Sequence, residues 1–587
     1  MNNASLELGG TNWAEKDGNI LGYSVGDTSG KYSPQEFTFA RGSNLSATRI
    51  DRAGLIVKGR ENLALQSNQF DTTWVNINSN ETSGQSGYDG SNDAWILSKS
   101  ASGGFIYQIA NSYSGVYTFS VYAKANASNF IRLNGNAVTD ADAFFNLSTG
   151  LVQSSINCID VKIESVGNGW YRCSITSNDS DLDYINIYPA EAGSISGNSG
   201  SVYIQDAQLE QGLAASPYIE SGATNGTAGV LENTPRLNYT TGVANPYLLL
   251  EPSRTNLFSQ SEYFGDWTTF RSSVSANQAT SPEGLTNAYK LIQESGQTSS
   301  GGLFKGVTTI DATTYTYTFF AKEAGYGWCF ARLMGGGNNY YAWFDLSNGI
   351  KGNVTNGATS AIEPYGNDWY RCSITFANLG TSAVPHIYIA EANSSAAVSN
   401  PDGVKGINIY GAQLEIGSYP TSYIPTYSVS ATRAVDVCNK LDASGEIGQT
   451  EGTVFFEWDY QNVGSSGGNI VVSLAGTHLQ EIYFWVQGNG NYIYDVYNSS
   501  QQVNISGSMG SFGIKKIALA YKNNDFALYI NGVLAGTDTS GSVPTLDRLY
   551  IGGYALNTNY NISSGINQVL LYKERLTNAE LATLTTI

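Results

Sequence analysis

The heptapeptide Trp170-Tyr171-Arg172-Cys173-Ser174-Ile175-Thr176 returns unchanged at residues 369–375. A repeat of this length in a chain of 587 residues indicates a duplicated domain. Its residues alternate as they do along a β-strand, which places Tyr171, Cys173 and Ile175 on one face and the other four residues on the opposite face. We therefore predict that each copy is one strand of a duplicated sandwich, with a reduced, buried cysteine on the core side.

Composition places the whole chain in the all-β class. Charged residues make up 13% of it, whereas glycine and tyrosine number 65 and 39. This balance is typical of short strands joined by tight turns, because helices are rich in alanine, leucine, glutamate and lysine. With a domain size of about 150 residues, a chain of 587 residues predicts several domains, each with its own core.

The chain is acidic, with a formal net charge of -19. A protein with this charge repels phosphate backbones, so we do not expect it to bind nucleic acid. It has no run of about eighteen apolar residues to insert into a membrane, and its first residues lack the pattern of a signal peptide. We therefore expect a soluble protein made in the cytoplasm, with its five scattered cysteines unpaired.

Repeated landmarks set the predicted domain boundaries. Residues 60–222 and 253–428 are expected to form two antiparallel jelly-roll sandwiches, joined by a linker at residues 223–252. Residues 1–59 have too few apolar positions to form a core of their own. We expect this segment to serve attachment or oligomerisation, packing on a neighbouring domain, on another subunit or on an anchoring partner.

Residues 429–587 contain the strand succession of a lectin-like sandwich. Asn531-Gly532 supplies the positive φ angles of a type I′ hairpin turn, and Thr577 with Glu580 forms a capping box for a short terminal helix. The succession resembles the concanavalin A-like sandwich of laminin-G type. The expected architecture is therefore two tandem jelly rolls followed by a concanavalin A-like sandwich, with a small N-terminal attachment segment.

A second resemblance follows a series of short motifs along the chain. They are Phe37-Thr38-Phe39-Ala40-Arg41, Ser46-Ala47-Thr48-Arg49-Ile50, Pro235-Arg236-Leu237-Asn238-Tyr239 and Leu248-Leu249-Leu250-Glu251-Pro252-Ser253-Arg254. This series resembles an element of virion proteins of tailed bacteriophages, and the repeats resemble the carbohydrate-binding modules of bacterial hydrolases and phage fibres. The resemblance implies a structural and adhesive fibre or appendage of the head or the tail, located in the virion after synthesis in the host cytoplasm. It implies other virion proteins and host-surface glycans as partners, and a homo-oligomer in which a trimer is favoured.

The sequence offers little for catalysis. His386 and His478 are the two histidines and fall in different predicted domains, so no His-based nucleophilic site is expected. Glu457 and Asp459 share a strand face as in laminarinase-type glucanases, but Gln461 stands where that pattern has its third acid. Two acidic pairs recur in the repeats and are interpreted as structural: Glu191 with Glu391, and Glu210 with Glu415. We predict a protein that is not an enzyme and needs no cofactor, although both fold families leave room for structural calcium.

Aromatic residues are better candidates for recognition, since sugar rings stack on exposed aromatic rings while Asn, Asp and Gln bind the hydroxyls. The alternation of a strand predicts that half of each aromatic cluster faces the core. The candidates are Trp485, Tyr492, Tyr494 and Tyr497 in the last domain, and Trp328, Tyr340, Tyr341 and Trp343 in the second repeat. We expect any sugar site to lie in loops that the repeats do not share.

Two alternatives to an adhesive virion protein stay open at this point. One is a secreted bacterial adhesin or carbohydrate-binding component, against which the lack of a signal peptide counts. The other is a fibre-borne polysaccharide depolymerase whose active site lies at a subunit interface. Release of reducing ends from a polysaccharide distinguishes the last class from the other two.

Overall fold

The structure is a computed structural model that describes residues 4–25, 32–43, 45–136, 140–240, 243–461, 468–477, 479–553 and 562–587. Strands make up 57% of it and helix 2%, so the all-β prediction is confirmed. The helical elements are a 3₁₀ turn at Phe264–Asp266 and the α-helix Asn578–Thr585. The helix begins with the predicted capping box, in which the Thr577 side chain accepts from the Glu580 amide and the Glu580 carboxylate accepts from the Thr577 amide.

The first repeat is an antiparallel sandwich built around two strands of 21 residues, Phe105–Ala125 and Trp170–Ala190, which pair along most of their length. Each long strand contributes to both layers of the sandwich, with register shifts near Tyr113. The strand order is Leu151–Ile156, Ala141–Asn146, Phe130–Asn136, Trp170–Ala190, Phe105–Ala125, Ser201–Gln211, Ala94–Lys99 and Ser79–Gln85, with Asp160–Gly167 and Val75–Ile77 paired at the sides.

The second repeat has the same plan, but its two layers are separate sheets because the long strands are interrupted. The first sheet has the order Thr268–Phe270, Gly302–Phe304, Ser382–Ala390, Trp328–Gly335, Asn338–Asp345 and Ile350–Val354, with Val307–Thr308 at the side. The second has the order Ser272–Thr280, Thr286–Gln293, Gly406–Ile416, Thr313–Ala324, Trp369–Asn378 and Thr359–Tyr365.

The repeated heptapeptide is a strand in both copies, and its cysteine is fully buried in the sandwich core as predicted. The opposite face of the strand is also covered. Arg172 donates to the carbonyl of Ser216, and Arg371 donates to that of Thr421 at 2.6 Å. Each arginine therefore fastens the segment that leaves the sandwich.

The duplicated acids Glu210 and Glu415 bind the same two segments that leave the sandwiches. Glu210 accepts from the amide and hydroxyl of Ser216 at 2.8 and 2.6 Å, and Glu415 accepts from those of Thr421 at 2.9 and 2.6 Å. Both acids are buried. Buried carboxylates with several donors hold a structure together and are not available to a substrate, which fits the interpretation of this pair as structural.

The C-terminal sandwich is assembled from three separate parts of the chain. Its strands form one closed hydrogen-bonded arrangement, which has two parts. The first sheet contains Val533–Asp538, Phe526–Ile530, Gly513–Lys522, Glu451–Tyr460, Ser564–Tyr572, Leu6–Gly9, Tyr247–Leu250, Leu237–Asn238, Ala14–Lys16, Asn19–Val25 and Tyr32–Ala40. Its second sheet contains Val437–Lys440, Arg548–Ile551, Asn469–Ala475, Gln480–Val486, Asn491–Asn498 and Gln501–Ser508. Asn531 and Gly532 have φ of 50° and 81° and form the predicted hairpin turn.

Residues of the N-terminal segment complete this sandwich. Leu6 pairs with Leu571, and the strand Tyr32–Ala40 pairs with Asn19–Val25 at one end and with Val437–Lys440 at the other, so that it links the two sheets. The sequence left three packing partners open for this segment: a neighbouring domain, another subunit or an anchoring partner. In the structure the segment packs on another domain of the same chain, one that is far away in sequence. A role of residues 1–59 in attachment or oligomerisation stays a prediction.

Three short two-stranded antiparallel sheets lie at the junctions between the sandwiches. They are Thr48–Ile50 with Ile56–Lys58, Arg60–Asn62 with Gly226–Ala228, and Arg254–Asn256 with Ala431–Arg433. Two groups of buried ions accompany them. In one, which we call the inter-repeat cluster, Lys58 lies 2.8 Å from Glu262 and 3.0 Å from Glu283, which also contacts Arg60 at 2.7 Å.

The second group, which we call the junction cluster, combines three arginines with two carboxylates. Asp436 contacts Arg41 at 3.2 Å and also contacts Arg236, while Glu251 contacts Arg236 at 2.6 Å and Arg433 at 3.0 Å. The arginine side chains and Asp436 are 0% exposed. The arginines hold the pKa of Glu251 well below its usual range despite the opposing effect of burial.

Asp206 provides a pH-dependent term in the stability of the first repeat. Burial raises its pKa to about 6, and its carboxylate accepts from the Tyr88 hydroxyl at 2.9 Å. The pKa of Asp206 is higher in the folded state than in the unfolded state. The contribution of Asp206 to the free energy of unfolding is therefore favourable below about pH 4 and is lost as the pH rises through 6. We predict that Asp206→Asn raises stability by about 2 kcal/mol at pH 7.5 and has little effect at pH 4, as measured by melting temperature. Asn tolerates the positive φ of 53° at this position; an equal effect at both pH values would contradict the prediction.

Candidate functional site

The outer face of the first sheet of the second repeat is aromatic. In the strand Trp328–Gly335, Cys329, Ala331 and Leu333 are core residues, so Trp328, Phe330 and Arg332 project from the opposite side. The register of the neighbouring strands places Trp343 and Tyr388 beside Phe330, and Tyr341 and His386 beside Arg332. We call this surface the repeat 2 face.

The rings of the repeat 2 face stack on one another. Phe330 lies 4.4 Å from Tyr388 with an angle of 5° between the rings, and 5.2 Å from Trp343. Tyr341 stacks on Trp343 at 5.7 Å. Phe330, Trp343 and Tyr388 are almost fully covered, whereas Trp328 and Tyr341 are partly exposed. The inner rings thus form a rigid support for the two outer rings, which are the ones available to a ligand.

Arg332 lies at the centre of this face. Its Nε and Nη2 donate to Asn339 Oδ1 at 3.1 and 2.8 Å, and its guanidinium lies 5.7 Å from the centre of the Tyr341 ring. His386 contacts the carbonyl of Val384 through Nδ1 at 2.8 Å. Burial, with a smaller effect of Arg332, lowers the pKa of His386 to about 4, so this histidine is neutral at pH 7.

The first repeat carries an aromatic face at the equivalent place. Phe105 stacks on Tyr188 at 4.5 Å, and Tyr107 contacts the exposed Tyr184 at 5.4 Å. An arginine again lies among the rings, since Arg132 is 4.6 Å from the centre of the Tyr188 ring. We call this surface the repeat 1 face.

The C-terminal sandwich divides its four candidates between core and surface. Tyr492 and Tyr494 are buried core residues, and the Tyr494 hydroxyl donates to the carbonyl of Ala520 at 3.1 Å. Trp485 and Tyr497 are partly exposed on the outer face. Tyr497 stacks with Tyr483 at 6.2 Å. Two of the four candidates in this sandwich are therefore partly exposed and two belong to its core.

In the second repeat, too, alternate residues of a strand face opposite sides of the sheet, so that some candidates lie in the core and others on the surface. Tyr340 is a core residue whose hydroxyl donates to Ala377 at 2.6 Å. Tyr340, Tyr492 and Tyr494 therefore have no exposed ring to offer and are removed from the candidates. The repeat 2 face brings together Trp328 and Tyr341, whereas Trp485 and Tyr497 lie in another sandwich; ligand binding by these four stays a prediction.

Sequence reasoning missed most of the residues that form the two faces. It did not single out Phe330, Tyr388 or any ring of the first repeat, and it expected sites in unshared loops. The exposed rings lie on strands that both repeats share. One signal was present, because Tyr188 and Tyr388 precede the aligned Ala-Glu-Ala motifs by the same spacing.

Glu457 and Asp459, on the strand Glu451–Tyr460, are each contacted by neighbouring side chains. Glu457 accepts from Asn567 at 2.8 Å and lies 3.8 Å from Lys516, and Asp459 accepts from Gln461 at 2.5 Å. Asp459 and Gln461 line a cavity of about 390 Å³ between this sandwich and the second repeat. Burial raises the pKa of Asp459.

The described part of the chain offers neither a cluster of metal ligands nor a membrane-spanning helix. No group of three or more His, Cys, Asp or Glu residues there is arranged to hold a metal ion, and structural calcium stays a prediction. His478 lies outside the described residues. No helix among those that the structure describes is long and apolar enough to cross a membrane.

The fold is a chain of antiparallel β-sandwiches, two of which carry an aromatic face. No family model and no curated protein matches the sequence. Among solved structures, the chain is similar to the CBM40 domain of a Ruminococcus gnavus sialidase bound to α2,3-sialyllactose, with 16% identity over 24% of this chain and 84% of that chain and a TM-score of 0.21.

Two other solved structures cover more of the chain. The tandem CBM22 domains of Xyn10C from Paenibacillus barcinonensis show 11% identity over 60% of this chain and 94% of theirs, with a TM-score of 0.21. Domains LG4-5 of the mouse laminin α1 chain show 11% identity over 47% of this chain and 85% of theirs, with a TM-score of 0.17. These similarities are not used to infer function. The functional proposal below is based on the two aromatic faces.

Proposed function

We propose that this protein binds glycans without catalysis, as a structural and adhesive fibre or appendage of a tailed bacteriophage virion. The observation that carries the proposal is the pair of aromatic faces, one on each repeat. Flat, partly exposed rings beside Asn, Asp and Arg side chains are the surface on which sugar rings stack and their hydroxyls are hydrogen-bonded. Two weak sites on one chain bind a cell surface more tightly than one, and oligomerisation multiplies the effect.

The virion assignment rests on the series of motifs that resembles phage virion proteins. In this proposal the protein is a homo-oligomer, with a trimer favoured, joined to other virion proteins through residues 1–59. Immunogold labelling of virions with antibody against the protein tests this directly. Labelled particles support the assignment, and unlabelled particles from a preparation that contains the protein favour a secreted bacterial adhesin.

Glycan binding is tested on the full-length protein with a glycan array and with host capsular polysaccharide. We expect binding to the array and no release of reducing ends from the polysaccharide. Release of reducing ends by the purified protein would replace the non-catalytic function with a depolymerase. Absence of binding at high valency would leave a purely structural protein.

A double variant, Trp328→Ala with Tyr341→Ala, is expected to weaken binding at the repeat 2 face at least about tenfold, because it removes the two available rings. Titration calorimetry on the full chain should then record one binding site fewer per molecule. Tyr340→Phe is the matched control, since Tyr340 adjoins Tyr341 but points into the core. Unchanged stoichiometry in the double variant would exclude the repeat 2 face as the site.

A further inference from the structure

The half-buried Arg332 lacks an acidic partner, unlike Arg132 on the repeat 1 face and the arginines of the inter-repeat and junction clusters. Its nearest acceptors are the amide oxygen of Asn339 and, at 3.4 Å, the hydroxyl of Tyr388. Among the residues that the structure describes, no carboxylate oxygen lies within 4.0 Å of its guanidinium. A positive charge without a counter-ion thus lies in an aromatic surface of a protein whose net charge is -19.

The first repeat provides an internal comparison. Its arginine, Arg132, donates from Nε to both oxygens of Asp142 at 2.8 and 3.0 Å, and from Nη2 to Oδ2 at 2.7 Å. This bidentate pair neutralises the charge of the repeat 1 face. The two arginines stand two residues apart in the aligned strands, because Arg132 faces Tyr188 as Phe330 faces Tyr388. Arg332 matches Asn134, and the residue opposite it, Tyr341, stands where the first repeat has Asp142. The second repeat therefore places a ring beside its arginine where the first repeat has a carboxylate.

Other ionisable groups near the repeat 2 face leave the charge of Arg332 uncompensated. Asp345 lies on the same face but four residues along the strand from Tyr341, about 13 Å away at the rise of a β-strand, which exceeds the screening length of about 8 Å at physiological salt. Its carboxylate also accepts from Ser347 and Asn348. Lys305 is paired with Asp266 at 2.6 Å, and His386 is neutral at pH 7.

We propose that the repeat 2 face selects anionic sugars, with the guanidinium of Arg332 pairing with the acid group while the sugar ring stacks on Tyr341. The repeat 1 face, whose arginine is already paired, selects neutral sugars. A carboxylate and a sulfate ester present the same anionic oxygens to the fork of donors of an arginine. This inference rests on the proposed glycan-binding function and adds the class of sugar that each repeat takes.

The test uses the full-length protein on an array of matched oligosaccharides that differ in one group. Each set carries glucose or galactose, the corresponding uronic acid, or the corresponding sulfate ester. We expect the wild type to bind at least one anionic member about tenfold more tightly than its neutral counterpart, which corresponds to one charge-assisted hydrogen-bonded contact. Arg332→Gln should abolish this preference, while binding to neutral members through the repeat 1 face continues.

Two variants control for charge and for folding. Arg52→Gln should keep the preference for anionic members, because Arg52 is exposed in a turn that belongs to neither aromatic face. Arg332→Lys should keep part of it, since the charge remains but the bidentate geometry is lost. Continued binding of neutral members by Arg332→Gln, together with an unchanged melting temperature, shows that the variant is folded.

The outcomes separate this inference from the function on which it rests. Binding of neutral members alone, or an anionic preference that survives in Arg332→Gln, overturns the inference and leaves glycan binding standing. Binding of no member by the wild type overturns glycan binding and the inference with it. The relative affinity for the uronic acid and the sulfate ester identifies which acid group Arg332 recognises.

Discussion

Deletion of residues 1–40 is expected to unfold the C-terminal sandwich while the two repeat sandwiches stay folded. The strand Tyr32–Ala40 joins the two sheets, and Leu6, Leu8, Ile20, Phe37 and Phe39 are part of the same core as residues beyond 437. Removing these strands exposes that core and leaves two sheet edges unpaired. Calorimetry of the truncated protein should show the loss of one unfolding transition.

Two point variants on one strand refine this test. Phe37→Ala removes a fully buried ring and should cost about 3–5 kcal/mol in the C-terminal sandwich. Thr38→Ala changes the next residue, which is exposed on the other face of the strand, and should change stability by less than about 0.5 kcal/mol. If the truncated protein kept every transition of the full chain, residues 1–40 would be an appendage and not part of this core.

Asp436→Asn is expected to destabilise the junction between the linker and the C-terminal sandwich by about 3–5 kcal/mol. The change keeps the shape of the side chain but removes one of the two negative charges that face Arg41, Arg236 and Arg433. Arg41 then loses its carboxylate partner, and Arg236 keeps Glu251 alone, in a site from which water is excluded. Calorimetry should show the C-terminal transition lowered by roughly 10 °C, given the size of this sandwich.

An exposed ion pair of the same sandwich serves as the control for this variant. Lys16 and Glu36 lie 3.1 Å apart with side chains 60% and 50% exposed, so Glu36→Gln should cost less than about 1 kcal/mol. An effect of Asp436→Asn no larger than that of Glu36→Gln would mean that the arginines of the junction cluster do not depend on Asp436.

Local features of the fold could be predicted from the sequence because they depend on residues close together in the chain. The capping box at Thr577 and the turn at Asn531-Gly532 depend on a few neighbouring residues each. The burial of Cys173 and Cys372 was predicted from the alternation of residues along the heptapeptide that occurs twice in the sequence. Alternation also predicted that half of each aromatic cluster is buried, although it did not say which half.

The candidate site could be predicted only in part, because a sheet face depends on register between strands. Trp328 and Tyr341 were candidates, but their support by Phe330 and Tyr388 arises from pairing across three strands. A shift of one residue in either pairing would send those rings to the core. The lack of an acidic partner for Arg332 is likewise visible only when its cross-strand neighbours are known.

The sequence by itself determined the all-β class, the duplication and the terminal capping box, since strand period, turn residues and repeated motifs are local signals. Only the tertiary structure decided that Leu6 pairs with Leu571 and that Arg41, Arg236 and Asp436 meet in one dry cluster. Contacts between residues hundreds of positions apart leave no periodic trace. They arise because an incomplete core must find apolar strands, and because buried charges must find partners, wherever in the chain these lie.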